Sequence, residues 1–419
     1  MTARHKILGA SAALGLLLGA SSAQAQVALP DCNDAQFPNP VILTGSSAFE
    51  PLLARMAVAI QAANQAKPAS EQVTLMYQVS ASCDGAAAAM NPPVVSGNAD
   101  YFIPNPDPSH VGQALIKQCQ VEDAAKGGSL GFKPAIGVSD VSLSSCPGAP
   151  ATLPAGLGEW KGPVQSMLIV VPARNVTTTA ISAEQGAAIW GCGAAGGVGS
   201  FIDENGIMQR SVSSGTQILI SKAINVPPSA FKGVPNSSGG ALVTALIGYS
   251  NPQAAIGFLA ADAFLANPGL MNAVAFRGFG QDKAYYADSD ATSFDKRNVR
   301  DGHYVIQGPL HFYAPLTAGQ PVALTKTVLD WISGAVPLDP AKPNGYIDVV
   351  ANAGDVPGCA MKVQELCGDG GYFSSYTPPV SCGCYFESAV TQTTPATCQS
   401  CLDSSTCGAG TTCQTGFCE

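Results

Sequence analysis

Histidine is nearly absent from this sequence: four residues in 419, and His5 sits in a leader-like N-terminus. The remaining three, His110, His303 and His311, show no metal-ligand spacing and no nucleophile beside them. Charge is also sparse. Only 12% of residues are Asp, Glu, Lys or Arg, and the net charge is −9. An acidic chain without a basic run is a poor match for nucleic acid, so no nucleic-acid partner is expected. Net charge does not exclude a small anion, because backbone N–H groups and helix dipoles can bind one locally. Beyond the N-terminus no apolar run is long enough to span a bilayer. The composition has no disordered character, being rich in Gly and Ala and poor in charge.

The N-terminus reads as an export signal. Arg4, His5 and Lys6 form a basic start, "ILGASAALGLLLGA" an apolar stretch, and Ala23-Gln24-Ala25 a cleavage site. No cysteine follows that site to carry a lipid. The mature chain is expected from residue 26, in the periplasm, secreted, or at the cell surface. Fourteen cysteines fit an oxidising compartment and read as disulfides. Seven precede residue 370 and seven follow 380, so a pair can cross that line. The stretch after about 370 is small and polar, with little to bury, and needs covalent staples. Cys398-x-x-Cys401 lies there without a histidine, so disulfides are favoured over zinc, and no metal or cofactor is expected.

Three segments share one pattern: an apolar strand, a Ser/Gly loop, then a helix. They are "VILTGSSAFEPLLARMAVAI" (41–60), "VTLMYQVSASCDGAAAAM" (73–90) and "IMQRSVSSGTQILISKAI" (207–224). In the third, a helix is expected to start at Thr216, and Arg210 brings a guanidinium to its N-terminal N–H groups. Other elements are a buried strand at 166–173, a helix at 182–190 with a Ser182–Gln185 capping box, and a turn, strand and helix over 251–264. A pair of strands is expected at 302–315 and a helix at 323–334 ending at Gly334. Strands alternating with helices imply an α/β architecture.

Five strings, "TGSSAFEPLL", "YQVSASCDGAAAAM", "IGVSDVSL", "RSVSSGTQ" and "AAIGFLAADAF", resemble in order the phosphate-binding proteins of ABC transporters, a family of type II periplasmic binding proteins. The resemblance covers roughly residues 40–335. It implies two α/β lobes with a ligand cleft between them. The segments would be a signal peptide at 1–25, lobe 1 at 26–165 with an insertion at about 101–136, lobe 2 at 166–290, a lobe 1 return at 291–370, and a Cys-rich tail at 371–419. It also implies an anion site at Ser47, Ala48, Phe49, Ser82, Asp140, Arg210, Ser214, Gly215 and Thr216.

In that site Asp140 would accept a hydrogen bond from a protonated anion and so reject sulfate. The sequence departs from the family at Ala48, where a hydroxyl residue is usual, and at Val212, where an acidic residue usually pins the arginine. The insertion with Cys119 and the tail are also outside the pattern. The expected function is capture of a tetrahedral oxyanion, phosphate foremost, by an exported monomer serving an inner-membrane ABC permease. The alternative is a secreted or cell-surface interaction protein that uses the tail for attachment. No enzyme activity is expected. Removing the tail beyond about residue 375 should leave a folded body, provided no disulfide crosses the cut.

Overall fold

A computed structural model describes residues 29–107, 112–123, 128–366 and 368–419. The leader expected at 1–25, together with His110 and Cys367, lies outside the described residues.

The first segment alternates strand and helix: β1 (Pro40–Ser46), α1 (Glu50–Asn64), β2 (Thr74–Ser80) and α2 (Ser82–Met90). It continues with the hairpin β3 (Asn98–Pro104) and β4 (Ala114–Gln120), the short ladder β5 (Glu122–Asp123) with β6 (Gly128–Ser129), and β7 (Ile136–Ser139). β1 pairs in parallel with both β2 and β7. Strands buried on both faces read as continuous apolar runs, as "VILT" does. The inserted region is therefore mostly sheet: β3 and β4 extend it antiparallel at its edge, and Cys119 closes a disulfide to Cys32.

β8 (Leu157–Pro172) joins the two halves of the molecule. Its first half pairs with β14 (Gln307–Pro315), from Leu157 opposite Pro315 to Ser166 opposite Gln307. From Met167 onward it changes partners, to β12 (Gly257–Ala260) and β13 (Met271–Arg277). Between β8 and β12 run β9 (Ala180–Ser182), α3 (Ala183–Cys192), β10 (Met208–Gln209), α4 (Gly215–Ile224), β11 (Val234–Pro235) and α5 (Gly239–Gly248). Short helices α6 (Ala261–Leu265) and α7 (Arg297–Arg300) flank β13. The chain returns through β14 to α8 (Ala323–Ile332) and α9 (Gly345–Ala353).

Two cores result. One gathers Leu43, Leu52, Phe312, Leu329 and Trp331. The other gathers Ile169, Trp190, Ile218, Phe258 and Phe276. Each fully buried side chain of this size contributes about 1.5–3 kcal/mol. The protein is a two-lobed α/β structure whose lobes share one long strand. Among the described residues no helix is long and apolar enough to cross a membrane.

Most expected elements form where the patterns put them, including the Ser182–Gln185 capping box. α4 begins at Gly215, one residue before the expected Thr216. Residues 302–315 give one strand, β14, with a register shift between Pro309 and His311, and not a pair.

The tail departs further from its reading. It buries Cys382 and Phe386 completely, in the core of the second lobe. Phe386 is on α10 (Gly383–Thr391), and Arg300 stacks over its ring while bonding Glu387 at 3.2 Å. Cys359–Cys382 crosses the line at 375, so the condition for a harmless truncation is not met. Three further disulfides, Cys384–Cys398, Cys401–Cys413 and Cys407–Cys418, staple the remainder. The two cysteines of the C-x-x-C string thus pair elsewhere and not with each other.

Candidate functional site

Each strand–loop–helix unit ends its strand at the interface between the lobes. At the end of β1, Tyr77 donates to the Ser46 carbonyl at 2.6 Å, fixing the loop. Ala48 donates its N–H to Ser46 Oγ at 3.1 Å, and Phe49 donates its own to the Ser46 carbonyl at 3.2 Å. Phe49 is the N-cap residue of α1, and its ring packs on Tyr77 and Phe312. From this loop Ser47 reaches the other lobe, accepting from Arg210 Nη2 at 3.3 Å.

α2 approaches the sheet closely because two glycines leave room. A Cβ on Gly137 would sit 2.1 Å from the Gly85 carbonyl oxygen, and one on Gly85 would sit 2.6 Å from Gly45 Cα. This brings Ser82, at the helix start, against Asp140 at the end of β7. Ser82 Oγ donates to Asp140 Oδ2 at 3.0 Å and accepts from the Gly215 N–H at 3.0 Å. The Cys83–Cys146 disulfide holds the two segments together. Across the cleft, the Cys83 N–H donates to the Ser213 carbonyl at 3.1 Å. Gly215 must lack a side chain, since a Cβ there would stand 2.6 Å from Ser82 Oγ and 2.8 Å from Asp140 Cβ.

Arg210 follows β10 and is 5% exposed. Val212 provides no anchor, and backbone carbonyls take that place. Nε donates to the Asn236 carbonyl at 3.2 Å and Nη2 to the Ser237 carbonyl at 3.4 Å. Its own N–H donates to Gln217 Oε1 at 2.7 Å. Among the described residues Arg210 forms no ion pair. Burial draws its proton affinity down, opposed by the charge of Asp140. Asp140 is 2% exposed, and its Oδ1 has no hydrogen-bond partner. Burial raises its pKa, against the nearby hydroxyls of Ser46 and Ser82 and the charge of Arg210. Ser214 is the N-cap residue of α4, its side chain makes no capping bond, and both Ser214 and Thr216 are buried.

The structure therefore makes two bonded groups, Ser47 with Arg210 and Ser82 with Asp140 and Gly215, near enough for the charges of Arg210 and Asp140 to act on each other, with Ser214 and Thr216 in the adjoining helix start. Ala48 and Phe49 differ: their N–H groups are taken within their own loop, and the Phe49 ring belongs to the core. The sequence reading passed over a fourth Ser/Gly loop, "NSSGG" between β11 and α5. Ser238 caps α5 by accepting from the Ala241 N–H, and Gly239 lies beside Arg210 Nη1. Its strand–Ser/Gly–helix pattern is the same signal that marked the other three.

The remaining candidates sit elsewhere. His303 stacks on Tyr285, and His311 is buried with Nδ1 2.7 Å from Glu159 Oε1. One G-x-S-x-G string runs through 127–131. Its serine falls in the β5–β6 ladder and not in a strand-to-helix elbow. The arrangement around Arg210 can receive an anion: a buried cation, hydroxyls, and helix-start N–H groups that have no intrahelical acceptor.

No family model matches the chain, and no curated protein does. Among solved structures it is similar to one described as a phosphate ABC transporter substrate-binding protein with bound phosphate, from Clostridium perfringens. That match has 15% identity, 76% of this chain and 99% of that chain covered, and a TM-score of 0.48. It is also similar to an ABC-type phosphate transport receptor from Vibrio cholerae, at 14% identity, 75% and 99% coverage, and a TM-score of 0.43. The reduced OxyR regulatory domain from Pseudomonas aeruginosa matches at 9% identity, 72% and 99% coverage, and a TM-score of 0.37.

Proposed function

We propose that the inter-lobe cleft captures a tetrahedral oxyanion, phosphate in its hydrogen-bearing form. The observation that carries this reading is Arg210, a buried guanidinium with no carboxylate in ion-pair range among the described residues, near Asp140, one of whose oxygens is unpartnered among them. A buried charge without a partner is costly, so the site is built for a counter-ion that arrives from solution. Arg210 supplies the countercharge, and Ser47 and the α4 N–H groups that follow Gly215 supply neutral donors. Asp140 accepts a hydrogen bond on Oδ1 from the ligand's proton; a fully ionised anion offers none and meets repulsion there.

The role in the cell is release to an ABC-type permease after export through the leader at 1–25, with the chain acting as a monomer and without chemistry on the ligand. Calorimetric titration of the mature chain with phosphate, sulfate and a phosphate monoester tests the binding step. Phosphate should bind and sulfate should compete weakly. Absence of heat with all three anions would end the reading.

A further inference from the structure

A second cavity, of about 810 Å³, opens where β8 and β14 meet the α8–α9 connection and the segment leading into the tail. Its walls are mostly apolar, with Pro309, Pro337, Ile347, Met361, Phe373 and Tyr376 among them, and Gln307, Asn344 and Gln364 add neutral polar groups. Glu365 interrupts this surface. Its Oε1 is buried without a hydrogen-bond partner, and the Cβ position of Gly308, another wall residue, is 3.7 Å from it. Lys161 lines the same cavity, but among the described residues no ion pair joins it to Glu365. A space of this size and lining matches small-ligand sites, which hold about 300–1,000 Å³ of mostly apolar surface and a few polar groups.

We propose that this cavity binds a compact hydrophobic ammonium ion, the size of an arylalkylamine, with its nitrogen on Glu365. A lone buried acceptor calls for a donor, and a charged donor gives the shorter and stronger bond. The apolar body of such a ligand removes water from the proline and aromatic walls. A carboxylate ligand meets repulsion from Glu365, and from Asp369, whose charge also acts on it. Burial first, then Asp369, pushes the Glu365 pKa up to about 7, with His311, Lys161 and Lys222 opposing. Ammonium binding therefore strengthens as pH rises through about 7 and Glu365 ionises. This site is separate from the anion cleft, and its fate does not depend on the anion reading.

The test is calorimetry on the full mature chain at about pH 8 with three probes of one shape: 2-phenylethylamine, 2-phenylethanol and 3-phenylpropionate. The amine should bind at least roughly tenfold more tightly than the other two, and Glu365→Gln should remove that preference. Val380, 60% exposed at the cavity, gives a variant that does not threaten the fold. Val380→Lys should weaken the amine severalfold and leave the alcohol unchanged. Equal affinity for the three probes, binding of none, or a preference that survives both substitutions overturns the proposal.

Discussion

If the cleft captures an oxyanion as proposed, Arg210 and Asp140 carry most of its chemistry. Arg210→Ala removes a charge-assisted hydrogen bond worth about 1.5–3 kcal/mol, so phosphate affinity should fall roughly ten- to hundredfold in calorimetry. The unliganded melting temperature should hardly move, because the variant also loses a buried, unpaired charge. Unaltered binding would remove Arg210 from the site. Asp140→Asn changes discrimination more than affinity: an amide can donate as well as accept, so sulfate should compete better while phosphate changes modestly. An identical phosphate-to-sulfate ratio in variant and wild type would make Asp140 a structural turn residue. Arg210, Ser82, Asp140 and Gly215 were legible because charge, hydroxyl and glycine are marked residue types in a repeated context. The anchors of Arg210 were not, since the Asn236 and Ser237 carbonyls are backbone atoms that every residue type carries. Phe49 shows the opposite failure. Its place in the motif suggested a ligand contact, but a large apolar side chain at a helix start is claimed by the core.

At the scale of elements, the strand–loop–helix units were readable because apolar periodicity changes sharply at a Ser/Gly loop. The tail helix α10 was not. One apolar ring, Phe386, decides its placement, and a single residue makes no period. Its seating depends on contacts distant in sequence: Cys359–Cys382, Arg300 with Glu387, and Tyr385 donating to Asp348 Oδ1 at 2.9 Å. Phe386→Ala should therefore cost about 3–5 kcal/mol, measured as a shift in the urea midpoint. Cutting after residue 375 removes Phe386 and leaves Cys359 unpaired. Loss of a native disulfide alone typically costs 2–5 kcal/mol, so the shortened chain should unfold at much lower denaturant than the full one. A cut after 391 combined with Cys384→Ser keeps α10 and its disulfide, and should stay close to wild type. If the cut after 375 melts like the intact chain, α10 is an ornament on the second lobe.

Across the whole molecule, the lobes meet over a zone rich in carboxyls and poor in cations. Gln165, just before β8 changes partners, donates to the Ala48 carbonyl at 3.1 Å and to Asp355 Oδ2 at 3.3 Å. Burial, then charge on neighbouring acids, drives Asp355 well above its usual range. Burial also raises Asp262 to about 7, opposed by the N–H groups of Ala263 and of its own backbone. Glu50, at the start of α1, is raised to about 8 by burial and by its hydrogen bond with Asp100. This concentration of acids was invisible in the sequence, where the residues are far apart and only the closing of two lobes unites them. Its consequence is a sign. Between about pH 4 and 8 the folded protein holds protons that the unfolded chain releases, so stability is greatest at the acid end and is lost as pH rises. Carboxyls with lowered pKa values, such as Glu159 and Asp290, oppose this only at the acid end, below about pH 5, where their unfolded counterparts still bind protons. Scanning calorimetry of the unliganded protein should give a lower melting temperature at about pH 8 than at about pH 5. Phosphate at a hundred times its dissociation constant should restore about 2.7 kcal/mol at either pH by mass action. A melting temperature that is flat or rising over this interval would mean the acids are hydrated, and that the lobes in solution stand further apart than the Ser82–Gly215 bond allows.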